Sequence, residues 1–337
     1  MVYKLSYKTE HIKLTKSRVI GGIAVEVLDQ FCSTPSSDPY WNESAWFNFS
    51  IPEKQIIGMV YFFFRPNMNL LMGGPILWDE SGSLRGNCLF YDWHHIQPIP
   101  PGAGKFDFVA HNTLHVSVEE PCTRYRLRYD DCGFQLDLLW SALEAPHHFL
   151  GMEIQATGMS ADNRMHFEQM GRATGAFTLQ GEKFNVDCYS LRDSSWGVRK
   201  IDTVKRGSYF WAVVDERTAF HAQTMGEAAD QEVVGGFLKL DGETATLVGG
   251  RRFNTRMNAG TAKSFDLLLE DNRGRTATVA LRSCSDLMVD FYPRAQVVWS
   301  LLRADFGNGI TGWGDLQEFQ PLEQFRRMAR SQRGMTR

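Results

Sequence analysis

Met165-His166-Phe167-Glu168-Gln169-Met170-Gly171-Arg172 opens a run that continues to Thr178, reaches Gln180-Gly181-Glu182, and resumes as Lys183 to Leu191. Aromatic and β-branched residues flank a glycine placed where a tight hairpin needs one, so the stretch reads as two antiparallel strands. Strand geometry puts His166, Glu168, Met170 and Arg172 on one face, because successive side chains alternate. The returning strand runs on through Tyr189-Ser190-Leu191-Arg192-Asp193-Ser194-Ser195-Trp196-Gly197-Val198-Arg199. The hairpin would bring Tyr189 to Asp193 back beside His166 to Arg172, so that an acid, a base and two guanidinium groups converge. Facing a barrel lumen, the four side chains would line an apolar cavity with proton donors and acceptors.

The same texture extends in both directions. Trp46 to Ile51, Gly58 to Phe64, Leu114 to Val118, Thr123 to Tyr129, Phe134 to Trp140 and Ser208 to Val214 read as further short strands, and Asp241-Gly242-Glu243 as another hairpin turn. Helical i, i+3, i+4 patterning is weak throughout, so the fold class is all-β. A length of 337 residues suits two domains, and 43% hydrophobic with 12% aromatic residues suffices for packed cores. The Gly, Ser, Asp and Asn content of Gly158 to Arg164 marks a boundary, giving β domains at 1–160 and 161–325 and a basic tail at 326–337 that carries Arg326, Arg327, Arg330, Arg333 and Arg337. A solvated or frayed terminus explains that tail, and a stiff connection explains Gln97-Pro98-Ile99-Pro100-Pro101-Gly102.

Composition excludes several classes of function. Lys+Arg 36 against Asp+Glu 39, a formal net charge of -3, points away from nucleic acid and anionic membrane surfaces. The most apolar stretch, Ile56 to Phe64, is far shorter than the roughly 20 residues of a membrane-spanning helix. No GxGxxG follows a strand, Gly102-Ala103-Gly104-Lys105-Phe106 lacks P-loop spacing, and HExxH and GxSxG motifs are missing. His94-His95 and His147-His148 are adjacent residues that a strand would point to opposite faces, so no metal is expected. Six cysteines scattered singly suit reduced thiols, and the charged Met1 to Thr15 segment shows no signal-peptide core, so a cytoplasmic location is expected. There, the sequons at Asn42 and Asn48 are chance matches.

His166 to Arg172 as HxEQxGR, followed by Arg192-Asp193-Ser194-Ser195-Trp196-Gly197 as RDxSWG, resembles the AttH-like and hydroxyneurosporene-synthase (carotenoid hydratase) proteins. Trp41-Asn42-Glu43-Ser44-Ala45-Trp46-Phe47, Arg65-Pro66-Asn67 and Thr311 to Glu318 also look like blocks of that family, so the resemblance spans both halves. It implies a double lipocalin-like β-barrel, a ligand pocket between or within the barrels, and cofactor-free chemistry on an isoprenoid or polyketide-like substrate. The chain departs from the family at Ser194, where many members have histidine, and at Lys200-Ile201-Asp202, where they often have an acidic residue and tryptophans. Those departures weaken the carry-over of a proton relay and suggest a different substrate.

Protonating a trisubstituted alkene makes a tertiary carbocation, which needs a neutral carboxylic acid, an aromatic lining and a controlled water. Asp193 is the candidate acid, with His166 and Glu168 positioning water. Burial against Trp196 would keep Asp193 protonated, whereas an ion pair with Arg192 or Arg199 would oppose it. Trp196, Arg192, Arg199, Tyr189, Asn42, Glu43, Trp46 and His221 are candidates for the substrate wall. Each residue also has a structural reading: an ion pair closing a strand, a core tryptophan, a hydrogen-bonded His–Glu pair, or a buried Asn and Glu satisfying loop amides. Three functions fit: a hydratase, a cyclase or isomerase that excludes water, and a lipocalin-like carrier of terpenoid or lipid.

Overall fold

A computed structural model describes residues 19–20, 23–24, 28–33, 35–148, 165–200, 205–226, 230–258 and 261–332. Two antiparallel β units account for nearly all of them. The first contains β1 (Trp41–Ile51), β2 (Ile56–Arg65), β3 (Leu70–Trp78), β4 (His115–Glu120), β5 (Arg124–Asp131), β6 (Phe134–Ala142), β7 (Met165–Leu179) and β8 (Glu182–Val198). They lie in the order β3-β2-β1-β8-β7-β6-β5-β4, with short strands at the edges. The second is a closed barrel of β9 (Gly207–Asp215), β10 (Thr218–Met225), β11 (Asp230–Leu240), β12 (Glu243–Asn258), β13 (Thr261–Asp271), β14 (Thr276–Val289), β15 (Ala295–Asp305) and β16 (Thr311–Pro321). Helix α1 (Leu322–Gln332) follows it. No described helix is long and apolar enough to cross a membrane.

The decisive hairpin forms as read. β7 and β8 pair without a register shift from Met165↔Trp196 to Leu179↔Glu182. Their turn places Gln180 at φ 50° and Gly181 at φ 89°, the two positive values that a two-residue hairpin turn with right-handed twist requires. The Asp241-Gly242 turn repeats this geometry.

The boundary needs correcting. Gly158 to Arg164 lies outside the described residues, but β7 and β8, on its far side, are hydrogen-bonded into the first sheet rather than the barrel. β8 pairs with β1 from Arg192↔Phe47 to Val198↔Trp41, so the change of unit falls between Val198 and Gly207, not at 160/161. A local composition shift marks a loop; strand pairing over some 150 residues of sequence decides which side of a loop belongs to which sheet. The supposed tail is corrected too: Arg326, Arg327 and Arg330 belong to α1, while Arg333 and Arg337 lie outside the described residues.

Three apolar layers result. The first sheet curls around Phe47, Phe49, Phe62, Tyr125, Trp140 and Phe177, and its wings meet where Phe62 packs on Phe108 at 4.9 Å and Phe90 on Phe134 at 4.5 Å. Phe210, Phe220, Leu238, Phe265 and Leu281 fill the barrel. Between the units, the outer face of the sheet packs on the outer wall of the barrel through Trp46, Met59, Tyr61, Met170 and Leu191 against Trp211, Phe237, Leu287, Trp299 and Leu301. This middle layer positions the candidate site.

Candidate active site between the two β units

The face that His166, Glu168 and Asp193 share is not turned into a barrel lumen. It looks out of the first sheet onto the second unit, because β7 and β8 spend their other face on the sheet's own core. Phe167 and Trp196 pack there with Trp41 and Met165. On the outward face, Glu168 stands opposite Asp193, and Asp193 opposite Trp46 on β1. The His166 imidazole lies 3.0 Å from Glu168 Oε1 and 3.6 Å from Asp193 Oδ2. From the barrel, His221 on β10 brings Nε2 to 3.6 Å from Glu168 Oε1. Four groups that can exchange a proton thus meet at the seam.

The structure divides the remaining sequence candidates by strand parity. Trp46, Asn42, Arg199 and His221 reach the seam. Arg199 Nη2 donates to Ser195 Oγ at 2.8 Å, and its Nη1 donates to Tyr61 Oη at 3.2 Å. Asn42 is fully buried, and neither of its side-chain polar atoms finds a partner among the described residues. Tyr189 lies at the rim with the Arg172 guanidinium over its ring, and Arg172 donates to Asp187 rather than entering the cluster.

Arg192, Trp196 and Glu43 point the other way, which corrects their expected place on the substrate wall. Glu43 Oε1 accepts from Trp41 Nε1 at 3.1 Å, and Lys105 Nζ lies 3.7 Å from Glu43 and 4.8 Å from the Trp196 ring. Arg192 donates to Gln169 and faces Asp29 at 3.6 Å. Asp193 is therefore neither buried against Trp196 nor paired with Arg192; the cation on its own face is Arg199.

Sequence reading missed Asp315, Tyr61, Trp211, Trp299 and His147. Asp315 sits on β16 opposite Trp211, fully buried, and Asn48 Nδ2 donates to its Oδ2 at 3.0 Å. Its signal was a lone acid on the outward parity of Trp313-Gly314-Asp315-Leu316-Gln317. His147 pairs with Glu168 across β7. The buried Asn48 also leaves no room for a glycan at that sequon.

Burial sets the charges. It holds Asp315 well above the ordinary carboxylate range, reinforced by the negative charges of Glu168 and Asp193, so the neutral acid is favoured. Burial also pushes His221 well below the usual imidazole value, aided by His166 and His147, and takes His147 down to about 4. The phenol of Tyr61 is raised, first by burial and then by Tyr292. Burial opposes the charge on Arg199, but Tyr61, Tyr292 and Asp193 outweigh it and hold the guanidinium firmly protonated.

Among the described residues, one donor set could hold a metal: ligand atoms of His166, Glu168 and Asp193 all lie within 4.8 Å of one another. Neither adjacent histidine pair, His94-His95 or His147-His148, belongs to this set. The His–Glu contact is equally a charge-assisted hydrogen bond that needs no ion.

A family model for a domain of unknown function, DUF7064, matches residues 27–322 and so takes in both β units. The chain belongs to the DUF7064 family. No curated protein matches this DUF7064 chain. Among solved structures it is similar to an AttH of Nitrosomonas europaea, at 15% identity and TM-score 0.60, covering 89% of this chain and 98% of that one. It is also similar to kievitone hydratase of Nectria haematococca, at 12% identity and TM-score 0.55, covering 92% and 95%. CghA with Sch210972 matches at 10% identity and TM-score 0.53, covering 87% and 94%. The double β fold implied by the sequence motifs is thus shared along nearly the whole length of three proteins.

Proposed function

We propose that this DUF7064 protein is an enzyme of hydratase or cyclase kind that protonates a carbon–carbon double bond of a small, hydrophobic, isoprenoid-like substrate held between its β units, without a cofactor. The observation that carries this reading is the His166, Glu168, Asp193 and His221 cluster, set against the aromatic layer of Trp46, Tyr61, Trp211 and Trp299. Kievitone hydratase, by its name a hydratase, and CghA, solved with Sch210972, share the fold and make small-molecule chemistry a natural expectation for it.

In the hydration cycle, the Asp193 carboxylate takes a proton from the His166–Glu168 pair, gives it to the alkene and is a carboxylate again, leaving a tertiary cation facing the indole and phenol rings, whose π faces stabilise positive charge. A water held by Glu168 and His166 attacks the cation. Its surplus proton passes to the His166–Glu168 pair. The 3.6 Å separation of His166 from Asp193 then lets that proton return to Asp193, which closes the cycle with no net proton change. Neutral His221 supplies a second acceptor beside Glu168.

A cyclase or isomerase reading draws on a separate observation: a contiguous aromatic and aliphatic cluster adjoins the acid–base groups, which favours capture of the cation within the substrate. A non-catalytic carrier is less well supported, because a binding cavity for terpenoids has no need of carboxylates at its wall. Native mass spectrometry against prenylated phenols, linear terpenes and sterols tests the proposal. A mass gain of one water that Asp193→Asn abolishes supports hydration, and an isomeric product of unchanged mass supports the cyclase reading. Retention of ligand with no product from any class of compound counts against both.

A further inference from the structure

We propose that Arg199 and Arg65, with the phenols of Tyr61 and Tyr292, form a subsite for a carboxylate of the substrate, so that the molecule bound in the seam is an unsaturated carboxylic acid rather than a neutral terpenoid. The inference rests on the functional reading above for where the chemistry occurs, and it adds the polar end of the molecule.

Charge singles out Arg199. Among the described residues six lysine and arginine side chains are buried, and five of them face a carboxylate. Lys105 lies 3.7 Å from Glu43, Arg192 3.6 Å from Asp29, and Lys239 3.1 Å from Glu144. Arg206 and Arg252 share Glu318 at 3.2 and 3.5 Å. Arg199 is the exception: no carboxylate among the described residues comes within ion-pairing distance of its guanidinium, and its hydrogen bonds go to neutral oxygens. Asp193, held beside His166 at 3.6 Å, acts on it only at longer range. A buried charge in this position gives up its hydration without a counter-charge in return.

The groups around it converge from both units. Arg199 Nη2 donates to Ser195 Oγ at 2.8 Å and to Ser44 Oγ at 3.4 Å, and Nη1 donates to Tyr61 Oη at 3.2 Å. These bonds use three of the five guanidinium N–H groups and leave two for a ligand. Because Tyr61 accepts from Arg199, its own O–H is turned toward Tyr292, whose Oη lies 3.4 Å away on the segment between β14 and β15 of the barrel. A second cation joins them. Arg65 Nη1 donates to the Arg199 carbonyl at 3.3 Å and to the Tyr40 carbonyl at 3.1 Å, and it too has no carboxylate partner among the described residues. The acid of the adjoining loop, Asp38, is engaged by Lys200 at 2.6 Å. Burial and then the neighbouring Arg199 charge pull the Arg65 value down, as expected of two guanidinium groups that share no counter-ion.

A purely structural role explains only part of this. The bonds to Ser195 and Ser44 do tie the end of β8 to β1, but they leave the charge uncompensated and do not account for a second guanidinium beside the first. A carboxylate would supply what is missing: a planar pair of oxygens that a guanidinium grips in two places, and one negative charge, with the phenols of Tyr61 and Tyr292 as further donors. A neutral alcohol would offer a hydrogen bond and no charge. Strand geometry adds a distance. Ser195, which holds Arg199, is two residues from Asp193 on the same face of β8, about 7 Å along the strand. The carboxylate and the reacting double bond are therefore separated by a short carbon chain.

Isothermal calorimetry at neutral pH with three molecules of one carbon skeleton tests the subsite: geranic acid, geraniol and geranyl phosphate. In geranic acid the distal trisubstituted double bond stands such a chain away from the carboxylate. It is expected to bind about tenfold tighter than geraniol or more, and at least as tightly as geranyl phosphate. Arg199→Met is expected to erase the preference for geranic acid over geraniol, Arg199→Lys to keep part of it because the charge remains, and Arg65→Met to narrow it. Should Arg199→Met fail to fold, Arg65→Met decides. Equal affinity for geranic acid and geraniol, a preference that survives the deciding variant, tighter binding of geranyl phosphate than of geranic acid, or failure of geranic acid to bind would overturn the subsite. Binding is read without turnover, so selective binding with no product leaves the subsite standing and counts against the enzymatic reading. Equal turnover of geraniol and geranic acid does the reverse.

Discussion

Arg192 and Asp193 are neighbours in the chain that serve opposite faces of one strand. The Arg192 guanidinium is fully buried in the first sheet, 4.5 Å from the Tyr125 ring centroid and 5.1 Å from that of Phe167, while Asp193 lies 3.6 Å from His166 at the seam. Arg192→Met should therefore act on stability. It leaves Asp29 buried without its cation, a loss of about 3–5 kcal/mol for a broken buried pair. Denaturant unfolding is expected to show that loss, with turnover per folded molecule retained. Arg199→Met, which removes the donor to Tyr61 and Ser195, should instead lower kcat. If Arg192→Met unfolds at the wild-type denaturant concentration, the division of labour between the two faces is wrong.

His166 lies 3.0 Å from Glu168 and 3.6 Å from Asp193, so His166→Gln should interrupt the return of the proton to Asp193. A loss of about 100- to 10,000-fold in kcat is expected for a general acid–base group. Solvent-isotope incorporation into bound substrate should slow in parallel, while the melting temperature stays near that of the wild type. An unchanged kcat would remove His166 from the relay.

The donor set of His166, Glu168 and Asp193 invites a direct metal test. Acid catalysis as proposed needs no ion, so dialysis against a chelator should leave turnover unchanged, and added zinc should inhibit by occupying the relay. Activity lost to the chelator and restored by a divalent ion would replace the acid mechanism with a metal-dependent one.

Much of this site was legible because strands obey a strict alternation. His166, Glu168 and Asp193 share a face as their spacing requires, and the Gln180-Gly181 turn fixes their register. Alternation also assigned Trp196 and Arg192 to the opposite face from Asp193, but motif proximity in RDxSWG obscured it: residues one and three apart on a strand do not meet. What the sequence could not carry was the partner surface. Asp315 and Trp299 join the seam only because the outer wall of a closed barrel packs there, and such a wall reads as ordinary solvent-facing strand. The boundary was displaced for a related reason, since the pairing of β8 with β1 is a long-range choice with no local signal.

Gly236 sits under His221. Its φ is +129°, and a Cβ built there would fall 1.9 Å from the His221 carbonyl oxygen. Gly236→Ala therefore demands both a strained backbone and a displaced β10, a cost of about 1–3 kcal/mol for the conformation alone. Thermal unfolding should report it, and kcat should fall as His221 moves away from Glu168. Wild-type values for both would mean that β10 tolerates displacement and that the His221 position is not critical.

Stability should pass through a maximum in mildly acidic solution, with Asp315 responsible for the alkaline side. His147, with a folded value of about 4, and His221, also depressed, bind fewer protons folded than unfolded, so below about pH 6.5 they make stability rise with pH. Asp315 is raised, so from about pH 4 upward the folded state holds a proton that the unfolded chain has lost, and stability falls as pH climbs toward its folded value. Between about pH 4 and 6.5 the two histidines outweigh the single acid; from about pH 6.5 to 8 Asp315 sets the decline, with a slope on the order of 1 kcal/mol per pH unit, and above that the thiols of Cys122 and Cys188, also pushed up by burial, add to it. Asp315→Asn keeps the shape and removes the titration, so its denaturation midpoint should stay level where that of the wild type declines. Parallel declines of the two proteins between about pH 6.5 and 8 would show that Asp315 is already ionised in the folded state.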